Sequence, residues 1–111
     1  ANIPLVRSRS LAATDIVATD PRAQSIVRGS EAAHSRNMES LSHSDMSPTA
    51  SELVQVKIVN DVSAMVYFRV IRSSPQGYTR HHYDYFYVVE RASGAWRHTA
   101  TYSVLTIEVQ Q

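Results

Sequence analysis

Hydrophobic and polar positions alternate along most of the second half of the chain, the pattern of strands that bury one face. In residues 53–59, valine and isoleucine alternate with glutamine and lysine. Three further segments rich in β-branched and aromatic residues follow at 63–72, 78–91 and 95–109. We therefore expect four consecutive β-strands over residues 53–109.

The segments between these strands are short and rich in turn-forming residues. Asn60-Asp61 follows the first strand, Pro75-Gln76-Gly77 separates the second from the third, and Ser93-Gly94 separates the third from the fourth. Ser93-Gly94 fits a two-residue hairpin turn. Short connections join antiparallel neighbours, so the pattern predicts a four-stranded antiparallel meander.

Turn lengths assign the two faces of this meander. A two-residue turn at 93–94 sets Phe86 opposite Thr101 and Asp84 opposite Ser103, and a three-residue turn at 75–77 sets Phe68 opposite Asp84. A shift of one residue would exchange the faces. The face predicted to point inward, as the lining of a pocket, carries Val66, Phe68, Val70, His82, Asp84, Phe86, Val88, Thr99, Thr101, Ser103 and Leu105.

The other predicted face is aromatic and amphipathic, a composition typical of protein interfaces. It favours a homodimer formed through this outer face, and the alternative is a wide sheet with half-buried tyrosines. Besides Met65 and Arg69, this face carries the predicted interface residues Tyr67, Tyr83, Tyr85, Tyr87, Trp96, His98 and Tyr102.

The first half of the chain is less regular, and residues 1–14 show no clear pattern. Residues 15–19 and 24–28 are predicted as two short strands of a hairpin, joined by a turn at Asp20-Pro21. Gly29 would end the second strand, and Ser30 would cap a helix over residues 31–41. Residues 42–51 are polar and predict a loop.

Composition limits the classes of function. The chain has 111 residues, which fits one domain, and a net charge of +1, which gives no reason to expect nucleic acid or a membrane as a partner. It has no cysteine, and His82 and Asp84 are too few ligands for a metal site. No cofactor motif occurs, so we expect neither metal nor cofactor. A cytoplasmic location is the default expectation.

The order of elements resembles a known superfamily. The relevant stretches are Ile16 to Pro21, Val27 to Ala33, Val59 to Ala64, the Asp84-Tyr85-Phe86 triplet, and the hairpin with Trp96 two residues after Gly94. They resemble the cone-shaped α+β proteins that include nuclear transport factor two, ketosteroid isomerase and SnoaL-like cyclases. The resemblance implies a curved meander with a short N-terminal hairpin and one main helix on its concave face.

The same resemblance implies roles for two carboxylates. Asp20, before Pro21, stands where the isomerases have their general base, and Asp84 stands where they have a protonated acid that donates to an oxyanion. The isomerases also use a tyrosine on a long first helix, whereas this chain has no tyrosine before Tyr67. Two hypotheses therefore stay open: proton transfer on a small apolar carbonyl compound, or a non-catalytic module for ligand binding or homodimeric assembly.

Overall fold

The computed structural model describes residues 9–12, 20–42 and 48–110. The elements in chain order are β1 (Arg9–Ala12), α1 (Pro21–Leu41), β2 (Pro48–Asn60), β3 (Ser63–Ser73), β4 (Thr79–Ala92) and β5 (Ala95–Val109). The strands form one antiparallel sheet in the order β1-β2-β3-β4-β5. The α+β class and the four-stranded meander are therefore confirmed, while the likeness to the cone-shaped proteins stays a prediction.

The helix begins ten residues earlier than predicted, because the Asp-Pro pair is a helix start and not a turn. The Asp20 carboxylate accepts hydrogen bonds from the backbone N–H groups of Arg22 and Ala23, and Pro21 occupies the first turn. Proline is suited to that position because its φ angle is already helical. The predicted strand over residues 24–28 is thus wrong, and its predicted partner, residues 15–19, lies outside the described residues.

The two-residue hairpin between β4 and β5 is confirmed. Ser93 and Gly94 both have positive φ angles, 53° and 79°, as a type I′ turn requires. The β3–β4 connection is longer than predicted. The Ser74 N–H donates to the Thr79 carbonyl at 3.0 Å, and Tyr78 belongs to the loop with 68% of its surface exposed.

That extra loop residue shifts the β3–β4 register by one. Phe68 lies opposite Tyr85, and Arg69 lies opposite Asp84. The predicted pairing of Phe68 with Asp84 is therefore wrong. A further irregularity between Val88 and Val89 shifts β5, so that Asp84 faces Val104 and not Ser103.

The corrected register changes which of the predicted residues share a face of the sheet. We call the face that α1 covers the inner face and the opposite one the outer face. Members of the β4 strand change sides: His82, Asp84, Phe86 and Val88 lie on the outer face. The inner face of β3, β4 and β5 carries Val66, Phe68, Val70, Tyr83, Tyr85, Tyr87, Val89, Trp96, His98, Thr101, Ser103 and Leu105.

The core lies between α1 and the inner face. Apolar burial is the main force that holds a helix against a sheet, and Ile26, Val66 and Tyr87 are all completely buried here. The helix lies close to β5 at Gly29, where an added Cβ would lie 2.9 Å from the Trp96 carbonyl oxygen. Glycine therefore permits the contact between α1 and the start of β5.

Candidate functional site

A buried polar cluster joins α1 to the sheet. His34 Nδ1 lies 2.6 Å from the Tyr87 hydroxyl, and its Nε2 lies 3.0 Å from Ser51 Oγ. Asn37 Nδ2 donates to the Tyr87 hydroxyl at 3.0 Å. The imidazole also stacks on Phe68, with ring centroids 4.0 Å apart. The cluster thus has both directional bonds and ring contacts to hold its geometry.

Burial controls the protonation of this cluster. The pKa of His34 is lowered because burial penalises the imidazolium form, and burial raises the pKa of Tyr87 to about 12. Both side chains are therefore neutral at pH 7. His34 is only 9% exposed and Tyr87 is fully buried, whereas Asn37 is half-buried and Ser51 is exposed, so the cluster extends from the core to the surface.

A row of tyrosines continues from this cluster along the inner face of β4. Tyr83, Tyr85 and Tyr87 follow one another at every second residue, with near-parallel rings about 6 Å apart, at 6.1 Å and 6.0 Å between centroids. Arg72 ends the row, because its Nη1 donates to the Tyr83 hydroxyl at 3.0 Å and its guanidinium lies 5.5 Å from the Tyr83 ring centroid. Burial raises the pKa of Tyr85 as well.

The outer face has a second polar cluster, built on β3 and β4. Asp84 Oδ1 accepts a hydrogen bond from the Tyr67 hydroxyl at 2.5 Å and one from Arg69 Nε at 3.0 Å. Arg69 Nη2 also donates to the Tyr67 oxygen at 3.0 Å, which closes a three-membered ring of contacts. Burial, followed by the bond to Asp84, raises the pKa of Tyr67, and the bond to Asp84 raises that of Arg69.

An aromatic strip crosses the outer face beside this cluster. Tyr67 and Phe86 are stacked with centroids 4.6 Å apart, and Tyr102 lies opposite Phe86 on β5. Tyr102 is 64% exposed. The strip therefore runs from the middle of the sheet to its last strand and reaches solvent there.

Large apolar side chains are exposed along the second half of β5. Val104, Leu105, Ile107 and Val109 are between 49% and 66% exposed and project from both faces of the strand. β5 is the last strand of the sheet in the part of the chain that the structure describes. The edge of β5 that points away from β4 thus has backbone groups available for pairing, and apolar side chains lie beside it on both faces of the sheet.

The structure does not bring the two predicted catalytic carboxylates together. Asp20 caps α1, which lies over the inner face, whereas Asp84 lies on the outer face in contact with Tyr67 and Arg69. Asp84 Oδ1 accepts from both of these neighbours. The catalytic roles implied by the resemblance therefore stay predictions.

The predicted pocket lining is also divided. Val66, Phe68 and Val70 lie under or beside α1 on the inner face, while His82, Phe86 and Val88 lie on the outer face. Thr101 and Ser103 lie on the inner face of β5 but are exposed. These residues consequently do not line one pocket.

The predicted interface set is divided in the same way. Tyr85 and Tyr87 are 7% and 0% exposed within a single chain, so they belong to the core. Trp96 packs on α1 at Gly29, and Tyr83 and His98 also lie on the inner face. Tyr67 and Tyr102 are on the outer face as predicted.

Sequence reasoning missed His34 and the exposure of β5, although both left a signal. His34 continues a helical spacing of buried positions that starts at Ala23 and includes Ile26 and Ser30. Because a strand was predicted to end at Gly29, the helical spacing across that residue was not recognised. In β5, residues 99–107 carry no charged side chain, which is unusual for an edge that faces solvent.

Within residues 9–12, 20–42 and 48–110, no three His, Asp or Glu side chains are grouped to hold a metal ion. In those ranges no helix combines the length and apolar character needed to cross a membrane.

The chain matched no protein-family model, and neither curated proteins nor solved structures gave a significant match.

Proposed function

We propose that this chain is a non-catalytic assembly module that forms a homodimer through β5. The observation that carries the proposal is the exposure of four large apolar side chains, together with Tyr102, on one edge strand. Isolated apolar residues are common on protein surfaces, but clusters of them mark interaction sites, and here Tyr102 and Val104 lie on the outer face while Leu105, Ile107 and Val109 lie on the inner one. Here the group also lies on a strand whose backbone is positioned to pair.

Apart from the irregularity opposite Val88 and Val89, β5 has few of the features that usually protect a sheet edge. Natural edge strands are short, bent by bulges along their length, or carry charges, especially lysine. β5 has 15 residues, and its charged residues, Arg97 and Glu108, lie near opposite ends. The stretch between them has high β-propensity and contains neither proline nor glycine. Such an edge favours addition of another strand.

Charge complementarity favours a second copy of this chain as the partner. Because the positive residue is near the start of β5 and the negative one near its end, antiparallel pairing of two β5 strands brings opposite charges together at both ends. Closed two-fold dimers are the commonest homo-oligomers and use one self-complementary surface. Parallel pairing would place like charges side by side.

The proton-transfer hypothesis has less support from the geometry. It requires Asp20 and Asp84 to act on one substrate, and the sheet separates them. Asp20 has a complete role as a helix cap, and Asp84 has one as the acceptor of Tyr67 and Arg69. The assembly proposal needs no rearrangement of either residue.

The proposal is tested by the mass of the 111-residue chain in solution, measured by sedimentation equilibrium over a wide concentration range. We expect a reversible dimer. Val104→Lys should raise the dissociation constant by about 100-fold or more, because two ammonium groups would meet near the axis of the dimer. Since Val104 lies opposite Asp84, the lysine has a carboxylate nearby and the monomer should remain folded.

Val62→Lys is the matched control. Val62 is 49% exposed, close to the 53% of Val104, but lies in the turn between β2 and β3. The control variant should dimerise like the parent chain. A parent chain that remains monomeric at millimolar concentration, or equal weakening by both variants, would overturn the proposal.

A further inference from the structure

We infer that two copies pair along β5 in a single register, with Ser103 of each copy facing Ser103 of the other across a two-fold axis. This inference rests on the proposed homodimer and specifies the contact that forms it. The result is one continuous ten-stranded antiparallel sheet made of two five-stranded sheets. Symmetry, charge and the irregularity in β5 together select this register.

Symmetry restricts the possible registers. Antiparallel strands related by a two-fold axis perpendicular to the sheet keep the inner face of one copy beside the inner face of the other. Facing residues then lie on the same face, and one residue on the axis faces its own copy. For extensive overlap of β5, that residue has to lie near the middle of Ala95–Val109.

Charge selects one of these registers. With Ser103 on the axis, Ala100 faces Thr106 of the second copy. Because Val88 pairs with Ala100 and Val89 with His98, Thr99 is an extra residue in β5, and this shift by one places Arg97 opposite Glu108 of the second copy. Arg97 and Glu108 share the outer face, because they lie opposite Glu90 and Arg80 of β4. The opposite charges therefore meet twice, once at each end.

Neighbouring registers lose this match. With the axis at Val104, Glu108 would face Ala100, and with the axis at Leu105 it would face Tyr102. With the axis at Tyr102, it would face Ala95. Facing opposite charges stabilise antiparallel strands. In these other registers Glu108 keeps only the partners of its own chain, Gln110 and His82, and gains no opposite charge from the second copy.

The same register pairs the exposed apolar side chains. On the outer face, Tyr102 faces Val104 of the second copy, which extends the aromatic strip of Tyr67, Phe86 and Tyr102 across the dimer. On the inner face, Thr101 faces Leu105 of the second copy, and Trp96 faces Val109. Tyr102, Val104, Leu105 and Val109, which the single chain leaves exposed, thereby each gain a neighbour from the second copy.

Cysteine cross-linking tests the register, since the chain has no cysteine of its own. Facing residues of antiparallel strands have Cα atoms about 4.5–5.5 Å apart, which suits a disulfide. Ser103→Cys should therefore give a covalent dimer under mild oxidation. Thr101→Cys and Leu105→Cys are controls, because each would lie about 13 Å from its own copy along the strand and should not cross-link.

A charge exchange gives an independent test. Arg97→Glu and Glu108→Arg should each weaken dimerisation about tenfold or more, because each places like charges opposite one another twice. The double variant restores both pairs in reversed orientation and should dimerise like the parent chain. Thermal unfolding of each variant at low concentration shows whether the monomer stays folded.

The possible outcomes test the proposed register and the proposed dimer separately. Cross-linking at 101 or 105 in place of 103, or a double variant no stronger than either single variant, overturns the register and leaves the β5 dimer standing. A chain that is monomeric throughout overturns both. A dimer that none of the three cysteines cross-links, and that charge exchange leaves unchanged, also overturns both, since it would form through another surface.

Discussion

The imidazole of His34 and the hydroxyl of Tyr87 form one end of a hydrogen-bond chain that crosses from the helix to the sheet. His34 Nδ1 lies 2.6 Å from the Tyr87 oxygen, which already accepts a hydrogen bond from Asn37. All these groups are satisfied together when the Tyr87 hydroxyl donates to Nδ1 and His34, in the tautomer protonated on Nε2, donates to Ser51.

Removal of the Tyr87 hydroxyl should destabilise the fold. In Tyr87→Phe, His34 Nδ1 and Asn37 Nδ2 both lose a partner inside the core, and we expect a loss of about 1–3 kcal/mol in the free energy of unfolding. Urea denaturation measures it. Tyr102→Phe removes the same hydroxyl from a residue that is 64% exposed and should change stability little. Equal effects of both variants would contradict the assigned role.

The lowered pKa of His34 predicts a loss of stability in mild acid. The folded state holds the imidazole neutral, whereas the unfolded chain binds a proton near pH 6.5. As pH falls through that value, the unfolded state takes up more protons, so the free energy of unfolding decreases. Above it, this contribution to stability is fully present.

His34→Gln tests the sign, because glutamine keeps hydrogen-bonding capacity but does not titrate. The decrease in unfolding free energy between pH 8 and pH 5 should be smaller in this variant than in the parent chain, which isolates His34 from the other histidines. An unchanged pH profile would show that His34 is not the residue responsible.

Much of the fold could be predicted from local pattern, because alternation and turn residues act over short distances. The four strands and the Ser93-Gly94 hairpin follow from residues within a few positions of each other. The register did not follow, because one loop residue, Tyr78, decides which side of β4 faces the helix. With this residue in the loop, the register of β4 places Asp84 on the outer face and the row of tyrosines on the inner face.

The helix start was not predicted because the Asp20-Pro21 pair is compatible with two local structures. The pair occurs in turns and at helix N-termini, and the choice depends on residues further along the chain. Gly29 favoured the prediction of a shorter helix, whereas in the structure this glycine permits the close approach of the helix to Trp96. That approach is a tertiary contact, and local spacing carries no information about it.

Gly29→Ala should destabilise the protein despite the better helix propensity of alanine. The new Cβ would lie 2.9 Å from the Trp96 carbonyl oxygen and 3.0 Å from its Cβ, and the backbone contact cannot move independently of β5. Overpacking of this kind costs about 1–3 kcal/mol, which exceeds the gain of about 1 kcal/mol from propensity. Chemical denaturation of both chains measures the difference.

Ser35→Ala is the control for that change, because Ser35 is an exposed residue of the same helix. It should stabilise the protein by a few tenths of a kcal/mol through propensity alone, about 0.5 kcal/mol at most. If Gly29→Ala were stabilising to the same degree, the contact between α1 and Trp96 would be looser than the structure shows.

Asp20 should behave as a helix cap. Asp20→Ala removes the acceptor of the Arg22 and Ala23 N–H groups and should cost about 0.5–2 kcal/mol in unfolding free energy. Asp20→Asn keeps a capping oxygen and should restore most of that stability. Helix content and denaturation midpoints of the two variants provide the measurement. Equal loss in both would mean that the charge, and not the cap, is what matters.

Asp84 should be energetically coupled to Tyr67. Its side chain is 15% exposed and accepts from Tyr67 and Arg69, so Asp84→Asn should lower the unfolding free energy by about 1–3 kcal/mol. Tyr67→Phe removes one of the same bonds. In a double-mutant cycle, the two changes together should cost less than their sum by about 0.5–3 kcal/mol.

Asp84→Asn combined with Tyr78→Phe provides the uncoupled comparison, since Tyr78 lies in the exposed loop before β4. That pair should be additive within about 0.5 kcal/mol. Additivity of Asp84→Asn with Tyr67→Phe as well would show that the short contact between them contributes nothing to stability. The coupling thus decides whether Asp84 is retained on the outer face by its bonds to Tyr67 and Arg69.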